Sequence, residues 1–237
     1  MAQSGTYEMK HRNSHLLVGY WSRLRRGRDV PDQTEIDPRA IKRMLSQVFI
    51  LEASDPAHAT FRLAGTWLCD RFGFELKGTD FLATWDVLSR NQIVLLMKQA
   101  LATRQPVCIS AIGSTSDCTM VEIETILAPL SFGEGGPTRF LGMVHFLGDT
   151  STLAGRTLAS QRLVGSTMIR EDEPVEGLPP PAPPAEPVRV QPKAPHLRLV
   201  VSRNRAATIH CEMDDVMSQL LAALEIKRGP RLSLLGR

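Results

Sequence analysis

Cysteine is scarce in this chain and scattered: Cys69, Cys108, Cys118 and Cys211, with no CxxC pair among them. That spacing excludes the disulfide frame of a small secreted domain and predicts reduced thiols. Long apolar runs are missing as well. None approaches the roughly 20 residues that span a bilayer, and Met1–Gly5 lacks the apolar centre of a signal peptide, so the expected setting is cytoplasmic with no membrane span. Charge of one sign is not in excess: the formal net charge of +3 is too small to point to nucleic acid. Catalytic strings are absent too, with no GxSxG, no P-loop and no GxGxxG behind a strand. No paired-carboxylate setting stands out and no kinase-type sequence follows, so no catalytic residue and no enzymatic activity are expected.

What is present is ordinary globular material, 43% hydrophobic and 22% charged, interrupted by one sharp change of composition. From Glu171 to Pro195 the chain is dominated by Pro, Ala, Glu and Val. Proline removes backbone donors and fixes φ, so residues 171–195 read as a Pro-rich disordered linker. Within it, Pro181-Ala182-Pro183-Pro184 also has the form of a PxxP ligand. The predicted divisions are a folded domain over 8–150, a weakly helical extension over 151–170, the linker, and a short tail over 196–237. The tail carries a strand-like run at His196–Arg203 and helical spacing through Val216, Met217, Leu220, Leu221 and Leu224. It has too few apolar residues for a core of its own, which leaves docking on the main domain, a second copy or a partner.

Within 8–150 the hydrophobic period changes in a regular order. Residues 11–26 have amphipathic helical spacing (Leu16, Leu17, Tyr20, Trp21, Leu24), with Asn13 or Ser14 available as N-cap and Gly27 as the stop. Asp37-Pro38 opens a second short helix to Leu45. Gln47–Glu52 and Thr60–Ala64 are β-rich and flank the turn cluster at 54–57, which reads as a hairpin. Short helices follow over Thr66–Gly73 and Thr79–Trp85, then the strongest helix, Arg90–Thr103, with Ile93, Val94, Met97 and Leu101 on one face. Three strands close the domain: Val107–Gly113, Thr119–Pro129 and Arg139–Leu147. The segments predict an α+β fold: a five-stranded antiparallel sheet with helices on one face, preceded by an N-terminal amphipathic helix, its two halves joined through the first and last strands.

The strings His15-Leu16-Leu17-Val18-Gly19-Tyr20-Trp21-Ser22-Arg23-Leu24-Arg25-Arg26-Gly27-Arg28, Ile36-Asp37-Pro38 and Phe61-Arg62-Leu63-Ala64-Gly65-Thr66, followed by Gly73, Glu75-Leu76 and Gly78, occur in a telling order. Together they resemble a family of mostly single-domain PAS regulatory proteins from alphaproteobacteria, over about residues 8–150. The family generally has an arginine two residues beyond the proline after the first helix, where this chain has Gln33. The resemblance implies a PAS fold and a signalling-adaptor role through protein–protein contacts, with no catalytic residues to carry over.

Aromatic residues make up only 5% of the chain, yet Trp67, Phe72, Phe74, Phe81 and Trp85 crowd into one short stretch. They are either core packing or, with Cys108 and Met143, the wall of a pocket for a small apolar ligand. Leu17, Tyr20, Trp21 and Leu24 form the candidate dimer or partner helix, and a homodimer is expected if that face lacks cover. The arginines at the end of this helix either oppose its dipole or form a docking patch for an acidic partner or lipid head groups.

No cofactor is expected. Cys69-Asp70-Arg71-Phe72 lacks the flanking residues of a flavin-adduct motif and lies too early in the chain, and residues 90–103 contain no histidine to ligate haem. No metal site is expected either. His11 and His15 have i, i+4 spacing but no third ligand at matching spacing, His210-Cys211 with Asp214 and Asp215 reads as a helix start, and His145 as a hydrogen-bonded core histidine.

Overall fold

The computed structural model describes residues 8–170, except 56, 57, 135 and 149. The first helix, α1 (Arg12–Arg25), starts two or three residues earlier than the Asn13 or Ser14 cap predicts. His11 is its N-cap, and its ring accepts the Asn13 N–H. The helix stops where Arg26 and Gly27 take left-handed backbone (φ 48° and 82°). Asp37 caps as expected, accepting from Arg39 N–H, but the segment from Pro38 to Leu45 is not one helix. It forms 3-10 turns at Pro38–Ile41 and Leu45–Gln47 with a bend between them.

Strands β1 (Val48–Asp55) and β2 (His58–Ala64) form the predicted hairpin. The glycine after β2 is required: a Cβ on Gly65 would lie 2.3 Å from the Ser46 carbonyl, where the hairpin's end packs on the Leu45–Gln47 turn. Helix α2 (Thr66–Phe72) ends on Gly73 in the left-handed region. A 3-10 turn at Phe81–Thr84, capped by Asp80, leads to α3 (Val87–Thr103), capped by Asp86. Strands β3 (Val107–Thr115), β4 (Met120–Leu130) and β5 (Arg139–Leu147) follow as predicted.

The sheet has six strands rather than five, in the order β2-β1-β5-β4-β3-β6. The expected junction of the two halves through β1 and β5 is present, with Phe49 opposite Gly142. The added strand is β6 (Leu158–Met168), in the segment expected to be weakly helical. It is an edge strand held by backbone pairing to β3, and it buries only Leu158 and Gln161 fully. So little apolar content hides the period of two from a sequence reading. The folded unit therefore extends past residue 150 to the end of β6. The linker and tail, 171–237, lie outside the described residues.

The helices also occupy both faces of the sheet, not one. Alternate strand residues divide into two buried clusters: Phe49, Leu51, Ile109, Ile123 and Val144 face α2 and α3, whereas Val48, Ile50, Cys108, Ile126, Leu141 and Met143 face α1 and the 3-10 turns after it. α1 lies across that second face with Leu17, Val18, Tyr20 and Trp21 buried. The Trp21 indole N–H donates to Pro129 O at 2.7 Å, and the Tyr20 hydroxyl accepts Asp37 N–H at 2.8 Å. Trp21→Phe keeps most of the ring's packing but leaves the Pro129 carbonyl without its donor. It should cost about 1–2 kcal/mol in urea unfolding; no change would mean that α1 is not seated on β4.

Candidate functional site

The site worth testing is the space between the sheet and the α2–α3 insert. Phe49 and Phe61 from β1 and β2, Val144 from β5, Gln161 from β6, Leu68 and Phe72 from α2, Leu76, and Phe81 and Thr84 from the 3-10 turn line it. Little of it is empty: the free space is about 10 Å³, which is what a single water needs. Three phenyl rings fill the rest. Phe49 lies 5.5 Å from Phe61 and 5.9 Å from Phe81, and Phe61 lies 5.7 Å from Phe81, in a mix of edge and offset contacts. Trp85 extends the set, 5.9 Å edge-to-face from Phe81.

The aromatic crowding between residues 67 and 85 thus builds core, and only part of the predicted pocket comes together. Phe72 and Phe81 line the space and Trp85 buttresses it. Trp67 does not line it; half-buried against the same cluster, it lies 4.8 Å from Phe146 and beneath the Arg71 guanidinium. Phe74 is 50% exposed, because the chain turns outward after Gly73. Cys108 and Met143 are even further from the expectation: the strand alternation points them to the opposite face, under α1. Phe49, Phe61, Leu68, Leu76, Thr84, Val144 and Gln161 were missed. The first two sit in strands whose inward register is visible only once the sheet order is known.

Gln161 is the polar element of this core. Its Nε2 donates to Thr84 Oγ1 at 3.0 Å, its backbone carbonyl accepts Asp86 N–H at 2.8 Å, and its buried Oε1 has no partner. With Leu163 N–H donating to Ser89 Oγ (2.9 Å) and Arg162 to Asp86 (2.8 Å), β6 is stitched to the start of α3.

The opposite face holds a second polar group. Glu124 is fully buried and accepts the backbone N–H groups of Lys10 (2.6 Å) and His11 (3.0 Å), tying the start of α1 to β4. The His11 ring stacks on His145 with centroids 3.6 Å apart, so His145 is a core histidine, but its Nε2 is buried without a partner. Burial, with His11 adding to it, pulls the His145 pKa down to about 3, and burial lowers that of His11 against the opposing pull of Glu124. Burial pushes the Cys108 thiol well up, with Glu124 adding to it, and raises that of Cys69, so neither is poised as a nucleophile. His15 Nε2 lies 2.9 Å from the Met9 carbonyl oxygen, a hydrogen bond to backbone. Among the described residues no group of three or more His, Cys, Asp or Glu is placed to hold a metal, and no helix is long and apolar enough to cross a membrane.

The predicted dimer helix is largely occupied within the chain itself. Leu17, Tyr20 and Trp21 are buried against the sheet, and Leu24 packs partly on the same cluster. The face expected to lack cover in one protomer is covered by β4 and β5, which removes the reason given for a dimer through α1. The exposed large apolar residues lie elsewhere, among them Leu88 and Leu95 on α3, 80% and 64% exposed.

An antiparallel sheet holding a helical insert over one face, with an N-terminal helix over the other, is the architecture of a PAS-type domain. Residues 9–145 match the PAS domain family, and the chain belongs to it. No curated protein matches the chain. Among solved structures it is similar to a light-oxygen-voltage domain studied with a flavin analogue, at 15% identity and TM-score 0.38 over 49% of this chain and 87% of that one. It is also similar to the light state of the blue-light photoreceptor Aureochrome1 LOV (14%, TM-score 0.35, 47% and 88%) and to the Rhodobacter sphaeroides LOV protein (15%, TM-score 0.38, 50% and 72%).

Proposed function

We propose that this chain is a non-catalytic, cytoplasmic PAS regulatory protein of the alphaproteobacterial type, acting in signal transduction as an adaptor through protein–protein contacts and without a bound cofactor. The observation that carries the reading is α3. Its inner residues (Ile93, Met97, Ala100) are buried, whereas Leu88 and Leu95 stand out on the solvent side of the same helix. Apolar side chains held out on a rigid helix are what a partner helix or groove recognises. Packing of the three phenylalanines supports the cofactor-free part: ligand sites in proteins run to several hundred Å³, and this core as packed has room for about one water. A second copy of the chain is one partner to consider, though not through Leu17, Tyr20 and Trp21.

The test is capture from a lysate of the native host with full-length protein and with the Leu88→Ser/Leu95→Ser double variant. A protein retained by the first and lost by the second supports the adaptor; an identical retained set abandons it. Gln161 favours one rival, a sensor for a small, mostly apolar ligand bearing one hydrogen-bond donor, because this residue lines the free space and its buried Oε1 has no partner. Native mass spectrometry of protein from its own host decides between them. A retained small molecule of fixed mass, lost in Gln161→Leu, would replace the adaptor reading with the sensor.

A further inference from the structure

Seven of the residues from 20 to 47 are basic and four are acidic. Two of the arginines serve the end of α1. Arg25 Nε donates to Arg28 O at 2.8 Å, and Arg28 Nε and Nη2 donate to the carbonyls of Arg25 (3.1 Å) and Leu24 (3.0 Å). They answer the negative end of the helix dipole. The four acids are engaged as well. Glu35 pairs with Arg28 and Asp29 with Arg104, while Asp32 accepts Thr34 N–H at 2.8 Å and Asp37 accepts Arg39 N–H at 2.9 Å. That leaves the side chains of Arg23, Arg26, Arg39, Lys42 and Arg43, all exposed and, among the described residues, without a carboxylate at ion-pair distance.

These five cations look out on one side. α1 and the 3-10 turns bury Leu17, Trp21, Ile41, Met44 and Leu45 in one cluster against the sheet, so their exposed residues point away from it together. The Tyr20 hydroxyl, accepting Asp37 N–H at 2.8 Å, brings the two segments side by side. Arg23 lies one turn beyond Tyr20, and Arg39 two residues beyond Asp37, whose carboxylate offsets only one of the five charges. Tyr20 and Trp21 are buried, so this face offers no ring to stack on a nucleic-acid base. The exposed large apolar residues, from Phe74 to Val164, lie outside it, so nothing here inserts into hydrocarbon. Four of the five cations are guanidinium groups, whose forks match phosphate oxygens.

We infer that this face adsorbs on an anionic phospholipid bilayer, with Arg23, Arg26, Arg39, Lys42 and Arg43 set among the headgroup phosphates. The outer side of a helix and its flanking turns meets a plane more readily than it encloses a peptide, and each cation near such a surface strengthens binding about fivefold. α3 covers the opposite face of the sheet, so Leu88 and Leu95 point away from the bilayer. Their availability there to a partner rests on the adaptor reading; the adsorption does not.

The experiment is co-sedimentation of the full-length chain with vesicles of phosphatidylcholine alone and of phosphatidylcholine with about 40% phosphatidylglycerol, in roughly 0.1 M and 0.5 M NaCl. The wild type should bind the anionic vesicles only, and the higher salt should release it. Arg23→Gln/Arg39→Gln should weaken that binding at least tenfold. Lys77→Gln/Lys98→Gln removes the same charge from exposed positions on the α2–α3 side and should bind as the wild type does. None of the four side chains has a partner among the described residues, so both variants should keep the wild-type melting temperature. No preference of the wild type for anionic vesicles would overturn the proposal. Equal weakening in the two variants would assign the binding to net charge, and an unweakened Arg23→Gln/Arg39→Gln variant would assign it to another part of the chain; either overturns the proposal. So would binding to a DNA duplex that needs Arg23 and Arg39 while the vesicles stay bare. No partner protein enters the measurement, so a failed lysate capture with successful vesicle binding sinks the adaptor alone.

Discussion

Phe49→Ala should lower the unfolding free energy by about 3–5 kcal/mol and turn a filled core into a hollow one. Phe49 is fully buried on β1, and its ring lies flat against β5 at Gly142. The register makes that pair direct neighbours, and a Cβ on Gly142 would come within 2.2 Å of the Phe49 ring. Glycine and phenylalanine are therefore one packing unit, the absent side chain on β5 making room for the large one on β1. Removing the ring takes away the contacts to Phe61 and Phe81 and leaves space that the backbone of a six-stranded sheet cannot collapse into. For a domain of this size the loss corresponds to a melting-temperature drop of about 10 °C. The new cavity is lined by phenyl and aliphatic groups, so a small aromatic such as benzene should raise the melting temperature of the variant and leave the wild type unmoved. A wild-type shift of equal size would show that the native core already opens to apolar ligands, which moves the weight to the sensor. A variant that loses less than 1 kcal/mol would show that Phe49 does not fill this space.

The contrast between Phe49 and Phe74 explains how far the sequence carries. Elements were legible wherever local period and punctuation agreed: the β1–β2 hairpin, the Asp37 cap, the Gly73 stop and the three strands β3, β4 and β5 all rest on short-range rules, whereas the Asp86 cap, which starts α3 three residues before the expected Arg90, was not read. Which face a side chain occupies depends instead on sheet order and on what covers each side, which are long-range properties. Phe74 lies in the densest aromatic stretch, yet it faces solvent because Gly73 turns the chain outward. Cys108 and Met143 alternate correctly along their strands but toward the α1 side. The amphipathic pattern of α1 was read correctly as a face needing cover, and the second face of the chain's own sheet supplies it. Edge strand β6 escaped for a related reason: backbone pairing holds it, and its few apolar residues leave no periodic signal. Gln161, which with Thr84 makes the polar part of the core cavity's lining, was hidden with it.

Stability should fall by about 2 kcal/mol between pH 6.5 and pH 5, and His145→Phe should remove most of that loss. The fold holds the His145 ring neutral, with its pKa pulled down to about 3 by burial and then by His11, from 6.5 in the unfolded chain. Above pH 6.5 neither state is protonated at this position and the full stability is present. As pH falls from 6.5 toward 3, the unfolded chain takes up a proton that the folded one refuses, and each pH unit costs about 1.4 kcal/mol. Below about 3 both states bind it and the loss stops growing. The groups around the ring bear on the same equilibrium. His11, stacked at 3.6 Å, is also held below its ordinary range by burial, and Glu124 lies opposite His145 across the β4–β5 ladder with Lys10 and Glu122 at its outer side. Phenylalanine keeps a ring under His11, leaves no buried nitrogen without a partner and cannot titrate, so the variant should match or exceed the wild type at pH 5. Urea unfolding at pH 7 and pH 5 for both proteins measures this, and equal losses in the two would place the acid sensitivity elsewhere. The structure also says where acid acts first. Glu124 and the His11–His145 stack hold the first turn of α1, so amides of residues 12–21 should lose exchange protection at pH 5 ahead of the central strands β4 and β5.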